Sequence, residues 1–162
     1  MKIIRINVFP KNKKHFIKTK IFCKQILGIL QELKIKPILW GGLAYFAYTK
    51  NKDAIIHDID LVIPYKGFAK VMKILDENCI KYRYNKEWKD IVITKGKLVV
   101  DLDPIEDYRR GCRKFTTFDF GGLVLKTVSL NDLIKMYRKA ARVSHDKPEQ
   151  HLERLEALEK IE

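Results

Sequence analysis

With 162 residues, 46% of them apolar, the chain is long enough to bury one ordinary hydrophobic core. Lys and Arg outnumber Asp and Glu by 33 to 20, and this net charge of +13 favours polyanionic partners such as nucleic acid, nucleotide phosphates or an anionic membrane surface. Cys23, Cys79 and Cys112 lack C-x-x-C spacing, which argues against a structural zinc or a disulfide framework. The plainer account of the charge is a solvated basic surface.

The charge is uneven. Residues 1–36 hold ten Lys/Arg against Glu32 alone, whereas residues 145–162 hold six acids against three basic residues. No stretch approaches the roughly 18 apolar residues of a membrane span. Pro10 and the run Lys11-Asn12-Lys13-Lys14 break the N-terminal region, so it does not read as a secretory signal, and a cytoplasmic location is expected.

Residues 3–8 alternate Ile/Val with polar positions and read as a short edge strand ending at Pro10. Over 16–33 the apolar residues Ile17, Ile21, Ile26, Leu30 and Leu33 recur at helical steps, predicting an amphipathic helix with a lysine-rich face, stopped by Pro37. Ile38-Leu39-Trp40 is a brief buried strand that Gly41-Gly42 turns into a helix over 43–49. A polar loop leads to a strand over 57–63, and 68–75 reads as a helix. Strands are expected over 80–84, 90–94 and 98–102, the last two joined by a hairpin at Lys95-Gly96-Lys97. A further strand is expected over 123–128. Ser129 with Asp132 three residues on has the spacing of a capping box, opening a helix whose core stripe is Leu133, Ile134, Tyr137, Ala140 and Ala141. A last helix starts near Asp146-Lys147-Pro148 and carries Leu152, Leu155 and Leu158. The pattern predicts one α+β domain over 1–162, with a core over about 16–128 and a helical C-terminal portion over 129–162.

Asp58 and Asp60 alternate along their predicted strand and so share a face, with Ile59 and Leu61 turned to the core. Two acids on one face repel unless a cation lies between them, and Mg²⁺ with oxygen ligands suits that place. A solvent-facing edge strand would also explain an isolated D-x-D. Gly41-Gly42 at a strand-to-helix turn offers backbone amides at the positive end of a helix dipole, where phosphate binds, although tight packing would also call for glycine. Asp101 follows Val99-Val100 inside a strand, a costly place for an unpartnered charge, and Asp103 shares its face. If that strand lies beside the first, the carboxylates converge as two-metal phosphoryl chemistry requires.

In order, Gly41-Gly42-Leu43-Ala44-Tyr45, Asp58-Ile59-Asp60-Leu61 and Val100-Asp101-Leu102-Asp103-Pro104 resemble the motifs of the nucleotidyltransferase superfamily of DNA polymerase beta. The likeness is to small lincosamide and aminoglycoside nucleotidyltransferases and AbiEii-type toxins, and Val128-Ser129-Leu130-Asn131-Asp132 is similar to their post-sheet helix start. The resemblance spans roughly residues 37–145. It implies a mixed β-sheet flanked by helices, followed by C-terminal helices. It further implies that Gly41 and Gly42 hold the β- and γ-phosphates of an NTP, with ATP expected. Asp58 and Asp60 would bind two Mg²⁺ ions, with Asp101 completing the nucleophile-side metal and Asp103 a further metal candidate. An acceptor hydroxyl would then attack the α-phosphate and release pyrophosphate. Many relatives carry an arginine and a threonine just before the first acid, where this chain has Ala54 and Ile56.

Lys135, Arg138, Lys139 and Arg142 are candidates for phosphate contact, against a solvated helix face. Arg109, Arg110, Arg113 and Lys114, interleaved with Tyr108 and Phe115, form the best local nucleic-acid patch, against a plain basic loop. Trp40, Tyr45, Phe46 and Tyr48 crowd the glycine turn, as core or as a base-stacking surface. His57 reads as structural, and His15, His145 and His151 show no ligand spacing. The expected function is nucleotidyl transfer to a hydroxyl of RNA, tRNA included, because a cationic antibiotic would want extra acids. The rival is a nucleotidyltransferase-like module without turnover that binds RNA or a partner, such as half of a toxin–antitoxin pair. A second subunit is compatible with so open a site.

Overall fold

The computed structural model describes residues 2–107, 114–143 and 148–161. In chain order the first elements are β1 (Ile3–Arg5), α1 (Lys13–Glu32), β2 (Ile38–Trp40), α2 (Gly41–Thr49) and β3 (Ile59–Ile63). Next come α3 (Phe68–Glu77), β4 (Tyr82–Asn85), β5 (Asp90–Lys95) and β6 (Leu98–Pro104). The chain continues through β7 (Phe115–Asp119), β8 (Val124–Val128), α4 (Leu130–Val143) and α5 (Pro148–Ile161). All eight strands join one mixed sheet in the order β1-β7-β8-β2-β3-β6-β5-β4. The result is the expected α+β arrangement, with β1 at an edge.

Local chemistry accounts for these elements. α1 turns Phe16, Phe22, Cys23, Ile26 and Leu30 inward and lies against β6; of the expected stripe only Ile26 and Leu30 are buried, whereas Ile21 faces solvent at 66% exposure. It ends at Glu32, before Pro37 can act. Lys34 adopts a left-handed φ of 56°, and the amides of Lys34 and Ile35 donate back to the carbonyls of Gln31 and Leu30 at 2.9 and 2.8 Å. On the sheet, Ile59, Leu61, Val100, Leu102, Ile91 and Ile93 are fully buried, which fixes the register of β3, β6 and β5.

β7 has no counterpart in the expected strands, although Phe115-Thr116-Thr117-Phe118 is rich in strand formers. It makes an antiparallel hairpin with β8 through a turn at Gly121-Gly122, both at positive φ, closed by the Phe120 amide donating to the Leu123 carbonyl at 2.8 Å. Phe115 is thus a strand residue; of the basic patch proposed around it, residues 108–113 lie outside the described residues, as do His145 and Cys112. Ser129 Oγ accepts from the Asp132 amide at 3.3 Å, the cap that opens α4. α4 buries Leu133, Ile134, Met136, Tyr137 and Ala140, and α5 packs against both α4 and α2. Burial pushes the Cys23 thiol up to about 12, as for a packing residue. Among the described residues no helix is long and apolar enough to cross a membrane.

Candidate active site

β3 and β6 run parallel and in register, so Asp60 stands directly beside Asp101 on one face of the sheet. Their neighbours Ile59, Leu61, Val100 and Leu102 fill the opposite face. Asp58 precedes β3, which starts at Ile59 and not at residue 57, so a loop holds it in place. That loop is pinned by the start of α1. Asn12 Nδ2 donates to the Ile56 carbonyl at 2.7 Å, and the Ile56 amide donates to Asn12 Oδ1 at 3.0 Å. The Lys11 amide donates to the Ala54 carbonyl at 2.8 Å. Asp58, Asp60 and Asp101 each bring one carboxylate oxygen within 4.8 Å of the other two, and so do Asp90, Asp101 and Asp103.

Gly41 opens α2 across from this cluster. Its φ of +71° suits glycine, and an added Cβ would overlap Asp60 Oδ2 and lie 2.9 Å from Asp60 Cβ. The missing side chain therefore makes room for the carboxylate. At Gly42 an added Cβ would meet Arg154 Nη2 at 3.2 Å. Trp40, Tyr45 and Phe46 are buried in the core, and Tyr48 ties α2 to β8 by donating to the Val128 carbonyl at 2.7 Å.

A cleft of about 240 Å³ opens over these groups, lined by Gly41, Gly42, Asp58, Asp60 and Asp103 on one side. Tyr137 of α4 and Gln150, His151 and Arg154 of α5 line the other, with Ile55, Ile56 and His57 at the loop. The Arg154 guanidinium lies 5.5 Å from the Tyr45 ring centre, a cation–π contact that fixes the helix face it comes from. His57 is exposed into this cleft, and its carbonyl lies 3.1 Å from His15 Nε2. Lys135, Arg138, Lys139 and Arg142 are exposed on α4, and none lines the cleft. Arg138 instead donates to Glu159 at 3.1 Å, and Lys135 stands 4.0 Å from Asp132.

Burial holds the Asp60 carboxyl well above the usual carboxylate range, and Asp58, Asp101 and Asp103 push it further, opposed by Arg154. Burial likewise pushes Asp101 up to about 9, assisted by Asp103, Asp90 and Asp58. Such a cluster ionises fully near neutral pH only with a cation against it. The buried Oδ1 atoms of Asp90 and Asp101 accept no hydrogen bond from the described residues. An all-oxygen set with open acceptor atoms fits a hard divalent cation such as Mg²⁺.

Arg154, Gln150 and Asp90 carry no signal in the sequence motifs, and His151, without ligand spacing, nevertheless lines the cleft. Gln150, His151 and Arg154 share one face of α5 at positions i, i+1 and i+4, but only the packing of α5 on α2 and α4 turns that face to the acids. Asp90 was legible only as the one acid of β5, the hairpin partner of β6.

No protein-family model and no curated protein matches the sequence. Solved structures do. The antibiotic-resistance factor ANT(2″)-Ia, in complex with adenylyl-2″-tobramycin, superposes with a TM-score of 0.65 at 18% identity, over 89% of this chain and 92% of that one. The lincosamide antibiotic adenylyltransferase LnuA, lincomycin-bound, gives 0.57 at 16% identity over 88% and 96%. The fold is that of the nucleotidyltransferases. An antigenic nucleotidyltransferase-like protein from Paracoccidioides brasiliensis shares it at a TM-score of 0.61 and 12% identity, over 92% of this chain and 77% of that one. Within this nucleotidyltransferase fold, Asp58, Asp60 and Asp103 line one cleft with the glycine turn, and Asp101 stands beside Asp60 without lining the cleft.

Proposed function

We propose that the chain is a Mg²⁺-dependent nucleotidyltransferase that moves the NMP of an NTP, with ATP the expected donor, onto an acceptor hydroxyl. The observation that carries this reading is the convergence of Asp58, Asp60 and Asp101 within 4.8 Å, across from the Gly41-Gly42 turn. The neighbours' descriptions as an adenylyltransferase and as a complex with adenylylated tobramycin agree with it.

Asp58, Asp60 and Asp101 would hold Mg²⁺, with Asp103 and Asp90 beside Asp101 as further candidates. A divalent cation bound there offsets the carboxylate charge and polarises the phosphate oxygens. The acceptor oxygen forms the new bond to the α-phosphorus, the bond from that phosphorus to the bridging oxygen breaks, and pyrophosphate departs. Asp101 would take the hydroxyl proton. The first turn of α2 seats the β- and γ-phosphates on its amides. Arg154, over Gly42, supplies the cation for that triphosphate in place of the arginine that Ala54 replaces. Lys135, Arg138, Lys139 and Arg142 keep at most an outer electrostatic role.

The acceptor is an RNA hydroxyl. Support comes from the net charge of +13 and from a cleft that, among the described residues, is lined by Asp58, Asp60 and Asp103 as its acids, too few to select a polycation as well as a metal. The test is label transfer from each α-labelled NTP with Mg²⁺, to cellular RNA or to a small-hydroxyl library, beside Asp58→Asn. Transfer to RNA that the substitution abolishes is expected. Transfer confined to small hydroxyls would remove the RNA acceptor. No transfer with any acceptor, alongside RNA binding indifferent to metal, would leave the non-catalytic module.

A further inference from the structure

The acid cleft occupies one end of the sheet. At the other end, where β3 and β6 finish and β2 begins, two cavities of about 640 and 680 Å³ adjoin. Both are lined by Lys34, Ile35, Lys36, Pro37 and Lys126, so they form one groove along the end of α1 and the face of β8. Lys66 and Lys70 extend its basic rim towards α3. Among the described residues no carboxylate lines either cavity, and none of the five lysines enters an ion pair. Between the ammonium groups the floor is apolar. Ile35, Pro37 and Phe115 line it, Val124 is 48% exposed, and Lys126 Nζ lies 4.4 Å from the Phe115 ring centre.

We propose that this groove binds a single strand of nucleic acid. Five uncompensated cations call for several negative charges, and their spread over two adjoining cavities exceeds the footprint of one phosphate. An apolar floor between cations suits a ligand that alternates phosphates with flat bases. A flat anionic surface would not enter the groove. An acidic peptide would match the rim but would not set flat rings regularly against the apolar floor. The groove is separate from the acid cleft, so binding there stands whether or not the cleft transfers nucleotides.

The test uses the full chain and fluorescein-labelled oligo(U) and oligo(dT) of roughly 12 nucleotides, with binding read by anisotropy across a salt series. Replacing Lys34, Lys36, Lys66 and Lys126 together by Gln is expected to weaken binding at least about tenfold and to lower the salt slope by roughly 2–3. Equal neutralisation at Lys14, Lys18, Lys95 and Lys97, all exposed elsewhere, is expected to change affinity by less than about threefold. Arginine at the four groove positions should retain binding, which separates charge from misfolding. Equal losses in the two Gln variants would overturn the proposal. So would tighter binding of polyglutamate or of anionic vesicles than of either oligonucleotide, or no oligonucleotide binding at all. A preference for oligo(U) over oligo(dT) would assign the strand as RNA, and the reverse as DNA.

Discussion

Replacing Gly41 by alanine would force a side chain into a left-handed backbone and onto the Asp60 carboxylate at once. A loss of roughly 2–4 kcal/mol is expected, read by urea unfolding. Gly42→Ala meets only the mobile end of Arg154 and should cost under about 1 kcal/mol while raising the KM for the triphosphate. Arg154→Ala should raise that KM at least about tenfold and spare the fold, whereas loss of kcat with KM unchanged would place Arg154 on the reacting centre instead. Asp101 carries a pH signature. Its carboxyl is held at about 9, against an ordinary 3.8. Between those values the unfolded chain gives up the proton that the folded chain keeps, so without metal this group's contribution to stability falls as pH rises. In the presence of a chelator the thermal midpoint of wild type should drop more steeply over that window than that of Asp101→Asn. Parallel curves would show that the carboxyl is not held protonated.

At the scale of elements, the site depends on a loop that the start of α1 anchors at Ala54 and Ile56. Asn12 makes both amide bonds to Ile56 two positions before Asp58. Asn12→Ala should cost about 1–3 kcal/mol and lower kcat by displacing Asp58, with Asp60 and Asp101 left in place on their strands. Unchanged kcat would show that the loop holds itself. The same scale explains what could be read in advance. Asp58, Asp60 and Asp101 stood out because strand alternation and a valine-rich flank make charge conspicuous, and α1 stood out as a helix because apolar residues recur along it, although Ile21 turned out to face solvent. β7 was obscured because its short Phe-Thr-Thr-Phe run follows a basic segment. The end of α1 depends on a lysine in a glycine-like conformation. Arg154 was illegible for another reason: α5 reads as an acid-rich, half-solvated helix, and only its docking on α2 and α4 brings one cation to the acids.

At the scale of the molecule, one sheet separates two electrostatic ends, with acids beside the glycine turn and lysines around the groove opposite. The acidic end is a single Mg²⁺–triphosphate site if its carboxylates and its glycine turn act together. Such coupling is reciprocal, so metal and nucleotide must each tighten the other. The direct measurement is a titration with Mn²⁺, followed by electron paramagnetic resonance, with and without a non-hydrolysable ATP analogue. Wild type should bind Mn²⁺ more tightly with the analogue present, Asp60→Asn should lose the site, and Arg154→Ala should keep the metal but lose the coupling. Mn²⁺ binding beyond that of the analogue itself that is absent from wild type, or that Asp60→Asn leaves intact, would contradict the site.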